Sequence, residues 1–166
     1  MRRSDRPTRP LYDAEQRARR DASGWTLVQG ILAPLQFLVF AVSLGLVLRT
    51  LATGEGAVLA NASVVAKTLV LYAIMVTGSI WEKAVFGRYL FAPAFYWEDM
   101  VSMLVLALHS AYLVALATGI LDTAGLMVLA LAAYASYAVN AAQFILKLRT
   151  ARLQAAPAGL LTEAAR

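Results

Sequence analysis

Three acidic side chains flank the central connection of the chain, and they are the residues best suited to proton-transfer chemistry. Glu82 follows the second long apolar segment, and Glu98 and Asp99 precede the third. Carboxyl groups that are grouped and partly buried leave one group protonated and another ionised, which general acid–base catalysis requires. The alternative for each acid alone is structural: an ion pair of Glu82 with Lys83 or Arg88, or a helix N-terminal charge at Asp99. The cluster as a whole favours a catalytic site.

Further polar residues lie along the third and fourth apolar segments. In a helix, His109 lies three turns beyond Glu98 and differs from it by only about 20° around the helix axis. Ser102 lies about 40° from Glu98 around the axis, so the three residues share one stripe. His109 is either an axial ligand for the metal of a tetrapyrrole or a partner in an interhelical hydrogen bond. Asn140 and Gln143 mark one side of the fourth segment, where amides either orient water or a ligand or join helices.

Four long apolar segments must position these side chains. They cover residues 25–48, 59–81, 100–118 and 126–146, and each is long enough to cross about 30 Å of hydrocarbon. The composition agrees, since 60% of the 166 residues are hydrophobic, 15% are charged, and the mean hydropathy is +0.64. Because lipid offers no partner for backbone N–H and C=O groups, each segment must be helical. The sequence therefore predicts an all-α integral membrane four-helix bundle.

Charged residues predict the orientation and the divisions of the chain. Lys and Arg are concentrated in residues 1–22, in the central connection and just after the fourth segment. Cytoplasmic segments carry the excess of Lys and Arg, so both termini and the central connection are predicted to be cytoplasmic. We expect a basic arm over residues 1–22, a transmembrane domain over 23–150 and a disordered tail over 151–166. Lys67, inside the second segment, is expected to extend its ammonium group outward.

The residue inventory excludes several classes of function. The chain has no Cys, which excludes disulfides, thiol catalysis and iron–sulfur ligation, and a single His, which excludes a His-cluster metal site. A bound metal is therefore expected to arrive inside a ligand. The net charge of +5 comes from the ends and one loop, so it predicts contact with anionic lipid headgroups rather than with nucleic acid.

The resemblance to a known family lies in three segments: WTLVQGILAPLQFLVF, LYAIMVTGSIWEKAVFGRYLFAPAFYWEDMVSMLVLALHSAYL and YAVNAAQFILKLRTARL. Over residues 12–153 the chain closely resembles the 3-vinyl bacteriochlorophyllide hydratase family of anoxygenic phototrophs. The resemblance implies a hydro-lyase that adds water to the C3 vinyl group of chlorophyllide a or its bacteriochlorin counterpart, giving a 3-(1-hydroxyethyl) group. It also implies location in the bacterial inner membrane, cytoplasmic or intracytoplasmic.

The implied reaction needs an acid, a base that orients water, and anionic stabilisation of a cation. Glu98 is our first choice for the acid, and Asp99 and Glu82 are expected to position water or stabilise the cation. No cofactor is expected, because the substrate carries its own Mg, for which His109 is the candidate axial ligand.

Other residues are expected to bind the pigment. Tyr96 and Trp97 belong to the aromatic central connection, which would stack on the flat ring, and Arg88 or Lys83 would pair with its propionate. The remaining predicted substrate contacts are Ser102, Asn140 and Gln143.

A second function stays open from the sequence. A non-enzymatic pigment carrier or assembly factor would use the same pocket and His109, but it would not need the carboxyl cluster. A small transporter is disfavoured, because the chain has no repeated half and no pair of broken helices. The predicted partners are the pigment, membrane lipid, and either a second copy of the chain or other enzymes of pigment synthesis.

Overall fold

The computed structural model describes residues 11–163, with side chains described for residues 11–153. These residues form five helices and no strand: α1 Ala14–Ala22, α2 Gly24–Thr53, α3 Ala57–Phe86, α4 Tyr96–Thr118 and α5 Thr123–Glu163. Helices α2, α3 and α4 and the Thr123–Leu153 part of α5 are long and apolar enough to cross a membrane. The predicted all-α fold with four membrane-spanning helices is thus confirmed, and the chain is a multi-pass membrane protein.

The helices extend past the apolar segments that predicted them, because their ends are determined by glycine caps rather than by hydropathy. Gly54, Gly87 and Gly119 follow α2, α3 and α4 with φ of 75°, 81° and 65°. A residue without a Cβ adopts this left-handed conformation at little cost, so it ends a helix where apolar residues alone would not. No such cap interrupts α5, which continues to Glu163 through a tail that the sequence predicted to be disordered. Residues 1–10 and 164–166 of the predicted arm and tail lie outside the described part of the chain.

Short connections make neighbouring helices antiparallel. Helix α2 packs mainly on α3, and α4 mainly on α5, while contacts of α2 with α5 and of α3 with α4 close the bundle. Ser43 of α2 joins three helices, because its hydroxyl bonds to Ser63 at 2.6 Å and to Tyr134 at 2.5 Å. The connection 87–95, the start of α2 and α1 lie at one end of the bundle, which we call the central-loop end.

The segment before α1 docks on the central-loop end. Asp13 begins α1 with a capping box, in which its carboxylate accepts the Gln16 N–H at 2.7 Å. The preceding Tyr12 is 4% exposed, and its ring stacks on Phe86 with centroids 5.8 Å apart. The guanidinium of Arg20 lies 4.9 Å from the centre of the Tyr12 ring. An aromatic contact and a cation–π contact therefore hold the start of the described chain against α3.

Alkaline pH is expected to release this docked segment. Burial raises the pKa of the Tyr12 phenol, with the charge of Arg20 opposing the shift. The stabilisation is therefore complete below the ordinary phenol pKa of about 10 and is lost as the pH rises through the higher value in the folded protein. Trp81 packs on Phe86 beside Tyr12, so release of the segment would expose Trp81 to water. Quenching of its fluorescence by an added quencher should therefore increase in this pH range. A Tyr12→Phe variant with the same pH dependence as the parent protein would contradict this assignment.

Candidate active site

The connection 87–95 brings two carboxyl groups from different helices together. Glu82, one turn before the end of α3, accepts the backbone N–H of Ala92 at 3.2 Å through its Oε2. Asp99, in the first turn of α4, accepts the backbone N–H of Phe91 at 2.7 Å through its Oδ2. The two carboxyl groups lie next to each other, within reach of a shared proton, and the two residues are only 5% and 4% exposed. Successive amides of one loop thus hold a buried carboxyl pair.

An unusual backbone conformation aims these amides at the pair. Phe91 has a φ of +58°, a left-handed value that costs a non-glycine residue about 1–2 kcal/mol. The loop is fixed on both sides: Lys83 donates to the carbonyl of Gly87 at 2.9 Å, and the Phe95 N–H donates to the carbonyl of Ala92 at 2.8 Å. Local strain of this kind concentrates where a structure holds functional groups in a defined geometry.

Glu98, next to the carboxyl pair, forms an ion pair with Lys147 of α5. The Lys147 ammonium also lies 5.0 Å from the centre of the Phe95 ring, which stacks on Phe144 with centroids 5.7 Å apart. Glu98 is 7% exposed, so its carboxylate is largely removed from water and depends on this cation for compensation. The ion pair locks α4 to α5 at the central-loop end.

A cleft of about 380 Å³ opens beside this ion pair. Its lining combines the charged pair with an amide and several less polar residues: Leu11, Glu98, Gln143, Leu146, Lys147, Thr150 and Ala151. Ligand pockets usually span about 300–1,000 Å³, so this cleft is at the small end of the range.

Ser102 lies one turn from Glu98 on the predicted stripe of α4, and Asn140 of α5 contacts it from the neighbouring helix. The Ser102 hydroxyl donates to the Glu98 carbonyl at 2.9 Å and accepts from Asn140 Nδ2 at 2.8 Å. The Asn140 Oδ1 and Gln143 Oε1 atoms are buried, with no hydrogen-bond partner among the described side chains and backbone. The structure thus brings together all three predicted acids and all three of these polar neighbours.

His109 lies elsewhere, in the centre of the bundle. It is fully buried, its Nδ1 donates to the Val105 carbonyl at 2.8 Å, and its ring contacts Tyr134 with centroids 5.8 Å apart. At 1.5 Å per residue, it is about 16 Å along α4 from Glu98. It therefore does not line the cleft, where the predicted metal ligand would have to be.

The other predicted pigment contacts also lie outside the cleft, on the exposed surface of the central-loop end. Tyr96 and Trp97 are 45% and 70% exposed and pack on each other. The Lys83 ammonium donates to the Gly87 carbonyl at the end of α3 and lies 5.4 Å from the centre of the Tyr89 ring. Arg88 is exposed. Within residues 11–153, neither cation forms the ion pair with Glu82 that was the structural alternative for that acid.

Two lysines differ from what the sequence predicted. Lys147 belongs to the polar side of α5, but its pairing with Glu98 joins residues 49 positions apart and has no local signal. Lys67 was expected to extend outward, and this prediction was wrong. Its side chain is fully buried, with the ammonium 3.8 Å from the centre of the Tyr137 ring, because its position on α3 faces the bundle interior.

The arrangement defines a class of protein: a multi-pass membrane protein with a buried cluster of carboxyl groups beside an open cleft. Over residues 12–150 it matches the family model described as 2-vinyl bacteriochlorophyllide hydratase. Two proteins of that name are similar to it. That of Cereibacter sphaeroides is 69% identical over 148 residues, covering 89% of this chain and 91% of the relative; that of Rhodobacter capsulatus is 66% identical over 146 residues, covering 88% and 85%.

The chain therefore belongs to the 2-vinyl bacteriochlorophyllide hydratase family, and the resemblance predicted from the sequence is confirmed. The positions 2 and 3 in the two family descriptions denote the same vinyl group under two numbering schemes for the macrocycle. No solved structure matches the chain.

Proposed function

We propose that this protein is a hydro-lyase of bacteriochlorophyll synthesis that adds water to the vinyl group of a vinyl bacteriochlorophyllide. The shared name of two relatives, at 66–69% identity over most of the chain, supports the reaction. The observation that carries the chemistry is the cluster of three carboxyl groups and Lys147 at the cleft. A carrier of the same pigment would have no need for buried acids there.

The reaction sets the requirements for the site. A proton is added to the terminal vinyl carbon, leaving positive charge on the inner carbon that the conjugated macrocycle shares. A water oxygen then bonds to the inner carbon and loses one proton, which gives a 1-hydroxyethyl group. The site must therefore supply one proton, accept another and stabilise a cation in between.

Glu98 is better suited to accept a proton than to donate one. It pairs with the Lys147 ammonium on the cleft wall, so we propose it as the base rather than as the acid expected from the sequence. As a carboxylate on the cleft wall it removes a proton from water and stabilises the neighbouring cation.

The proton is supplied by Glu82 and Asp99. Two adjacent carboxyl groups, with no cation paired to either within residues 11–153, hold one proton between them. Asp99 follows Glu98 directly in the chain, so the carboxyl pair adjoins the ion pair of Glu98 with Lys147. The proton that Glu98 takes from water returns to this pair, so each cycle leaves the site as it began.

Membrane embedding suits a large apolar ring with one charged edge. The vinyl edge enters the cleft while the rest of the ring lies against the bundle and lipid. The exposed surface formed by Arg88, Tyr96 and Trp97 provides a cation and aromatic faces for the propionate side of the pigment. The Mg ion belongs to the substrate, and the depth of His109 argues against its use as the axial ligand.

The proposed location is the bacterial inner membrane, with the central-loop end in the cytoplasm. Lys83, Arg88 and Arg149 all lie at this end, whereas Arg49 is at the other. An excess of Lys and Arg is typical of the cytoplasmic side.

The function is tested by incubating the purified protein, in lipid nanodiscs, with vinyl pigment in ¹⁸O-labelled water. We expect the pigment to gain one molecule of water and to carry the label in the new hydroxyl group. Pigment that binds but is recovered unchanged would instead assign the chain as a carrier.

A further inference from the structure

The buried polar atoms that lack a hydrogen-bond partner in the protein are not scattered. Among the described side chains they come from five residues: Gln36, Lys67, His109, Asn140 and Gln143. Native interiors leave few buried polar groups without partners, so such a set needs an explanation. Gln143 lines the cleft, Asn140 lies one turn deeper on α5, and Lys67 and His109 are fully buried further inside the bundle. With the buried Gln36 of α2, we call these residues the polar column.

The lower part of the polar column follows α5. Gln143 lines the cleft, and Asn140 lies one turn deeper, bonded to Ser102. Tyr137 lies one further turn in, on the same face of the helix. The column therefore begins at the proposed base and leads toward the centre of the bundle.

The upper part of the polar column receives one residue from each of α2, α3 and α4. The Lys67 ammonium lies over the Tyr137 ring at 3.8 Å, and the His109 ring contacts Tyr134, which lies one turn from Tyr137 on α5. Gln36 is one turn from Phe40, whose ring contacts Tyr137 with centroids 4.9 Å apart. Gln36 is 2% exposed, and Lys67 and His109 are fully buried, so bulk solvent does not satisfy them.

The chemistry of the column identifies its occupant. Lys67 Nζ and Gln36 Nε2 are donors, whereas the side-chain oxygens of Gln36, Asn140 and Gln143 are acceptors. His109 Nε2 is also an acceptor, because its Nδ1 carries the proton donated to Val105. A cation would satisfy only the acceptors and an anion only the donors, whereas water both donates and accepts. Buried water typically makes about three hydrogen bonds to groups of this kind.

We propose that the polar column holds a file of internal water molecules that supplies the reacting water to Glu98 from inside the bundle. The supply role rests on the hydratase function proposed above, whereas the presence of water does not. A flat pigment in the cleft would cover Glu98 from the outer side and separate it from water at the membrane surface, so water already held in the column would be the water within its reach. The column reaches the cleft through Gln143, which lines it together with Glu98, and Asn140 lies one turn deeper on α5.

Radiolytic footprinting of the full-length protein tests for the water directly. Brief X-ray irradiation converts bound water to hydroxyl radicals that oxidise side chains next to it, and mass spectrometry locates the products. We expect oxidation of His109 and none of Tyr112, which is equally buried but packs in the apolar core with its hydroxyl bonded to Asn61. Tyrosine reacts with hydroxyl radicals more readily than histidine, so it is a stringent control. An unmodified His109 would overturn the proposal.

Kinetics test the supply role. Asn140→Leu keeps the side-chain size and removes both polar atoms, so we expect kcat to fall about tenfold, as for one lost hydrogen bond, with pigment affinity unchanged. The matched control is Tyr72→Phe, which removes an interhelical bond to Ser110 away from the column and should leave kcat unchanged. Unchanged kcat in a folded Asn140→Leu protein would remove the supply role.

The two proposals fail separately. If His109 is oxidised but the protein does not hydrate pigment, the proposal of internal water stands and the proposed hydratase function is rejected. If the protein hydrates pigment but His109 stays unmodified, the hydratase function stands and the proposal of internal water is rejected.

Discussion

Replacing Glu98 with Gln is expected to lower kcat about 10²–10⁴-fold, the usual contribution of a general base. The amide keeps the size of the side chain and can still accept a hydrogen bond from Lys147, but it can neither take a proton from water nor stabilise a cation by charge. Pigment affinity should change little, because the amide occupies the same part of the cleft wall. The measurement is single-turnover hydration of vinyl pigment in nanodiscs.

Glu55→Gln is a matched control for this substitution. Glu55 is an exposed acid in the connection between α2 and α3, at the opposite end of the bundle from the cleft. It should retain full activity, which would show that loss of a carboxylate is harmful only at the cleft. Full activity of the Glu98→Gln protein would remove Glu98 from the mechanism.

The second large effect concerns the pair that holds the proton. Glu82→Gln and Asp99→Asn should each lower kcat about 10²–10⁴-fold, because a carboxylate with an amide neighbour no longer shares a proton. The double variant should be no slower than the slower single variant, since groups that act as one unit give non-additive losses. Rates are compared after circular dichroism has verified that each variant is folded.

The loop amides give this test a structural control. An amide side chain can still accept from the Phe91 and Ala92 N–H groups, so the loop conformation should survive in all three proteins. Losses that multiply in the double variant would mean that Glu82 and Asp99 act independently, and the shared proton would have to be abandoned.

Hydropathy and helical period were sufficient to predict much of this fold and part of the site. Both signals are local in the sequence. Hydropathy locates each span, and the helical period places Glu98 and Ser102 on one face of α4. The meeting of Glu82 with Asp99 followed from a short connection between consecutive spans. Their mutual contact depends on the left-handed backbone at Phe91, which no residue type in that loop requires.

The parts that could not be predicted depend on how the helices rotate against one another. Sequence gives the depth of Lys67 in the membrane but not the direction in which it faces, and the structure turns it inward. The pairing of Lys147 with Glu98 requires the relative rotation of α4 and α5. For the same reason, Trp97 on the first turn of α4 faces outward although the neighbouring Glu98 is buried.

The docked segment before α1 has a practical consequence for recombinant work. Leu11 forms part of the cleft wall and Tyr12 is packed on Phe86, so the first described residues belong to the end of the bundle that carries the candidate site. An affinity tag or fluorescent fusion joined directly ahead of Tyr12 is therefore expected to disturb the cleft. Such additions belong after α5, and a preparation trimmed at its amino end should be compared with the intact chain before a low turnover is interpreted.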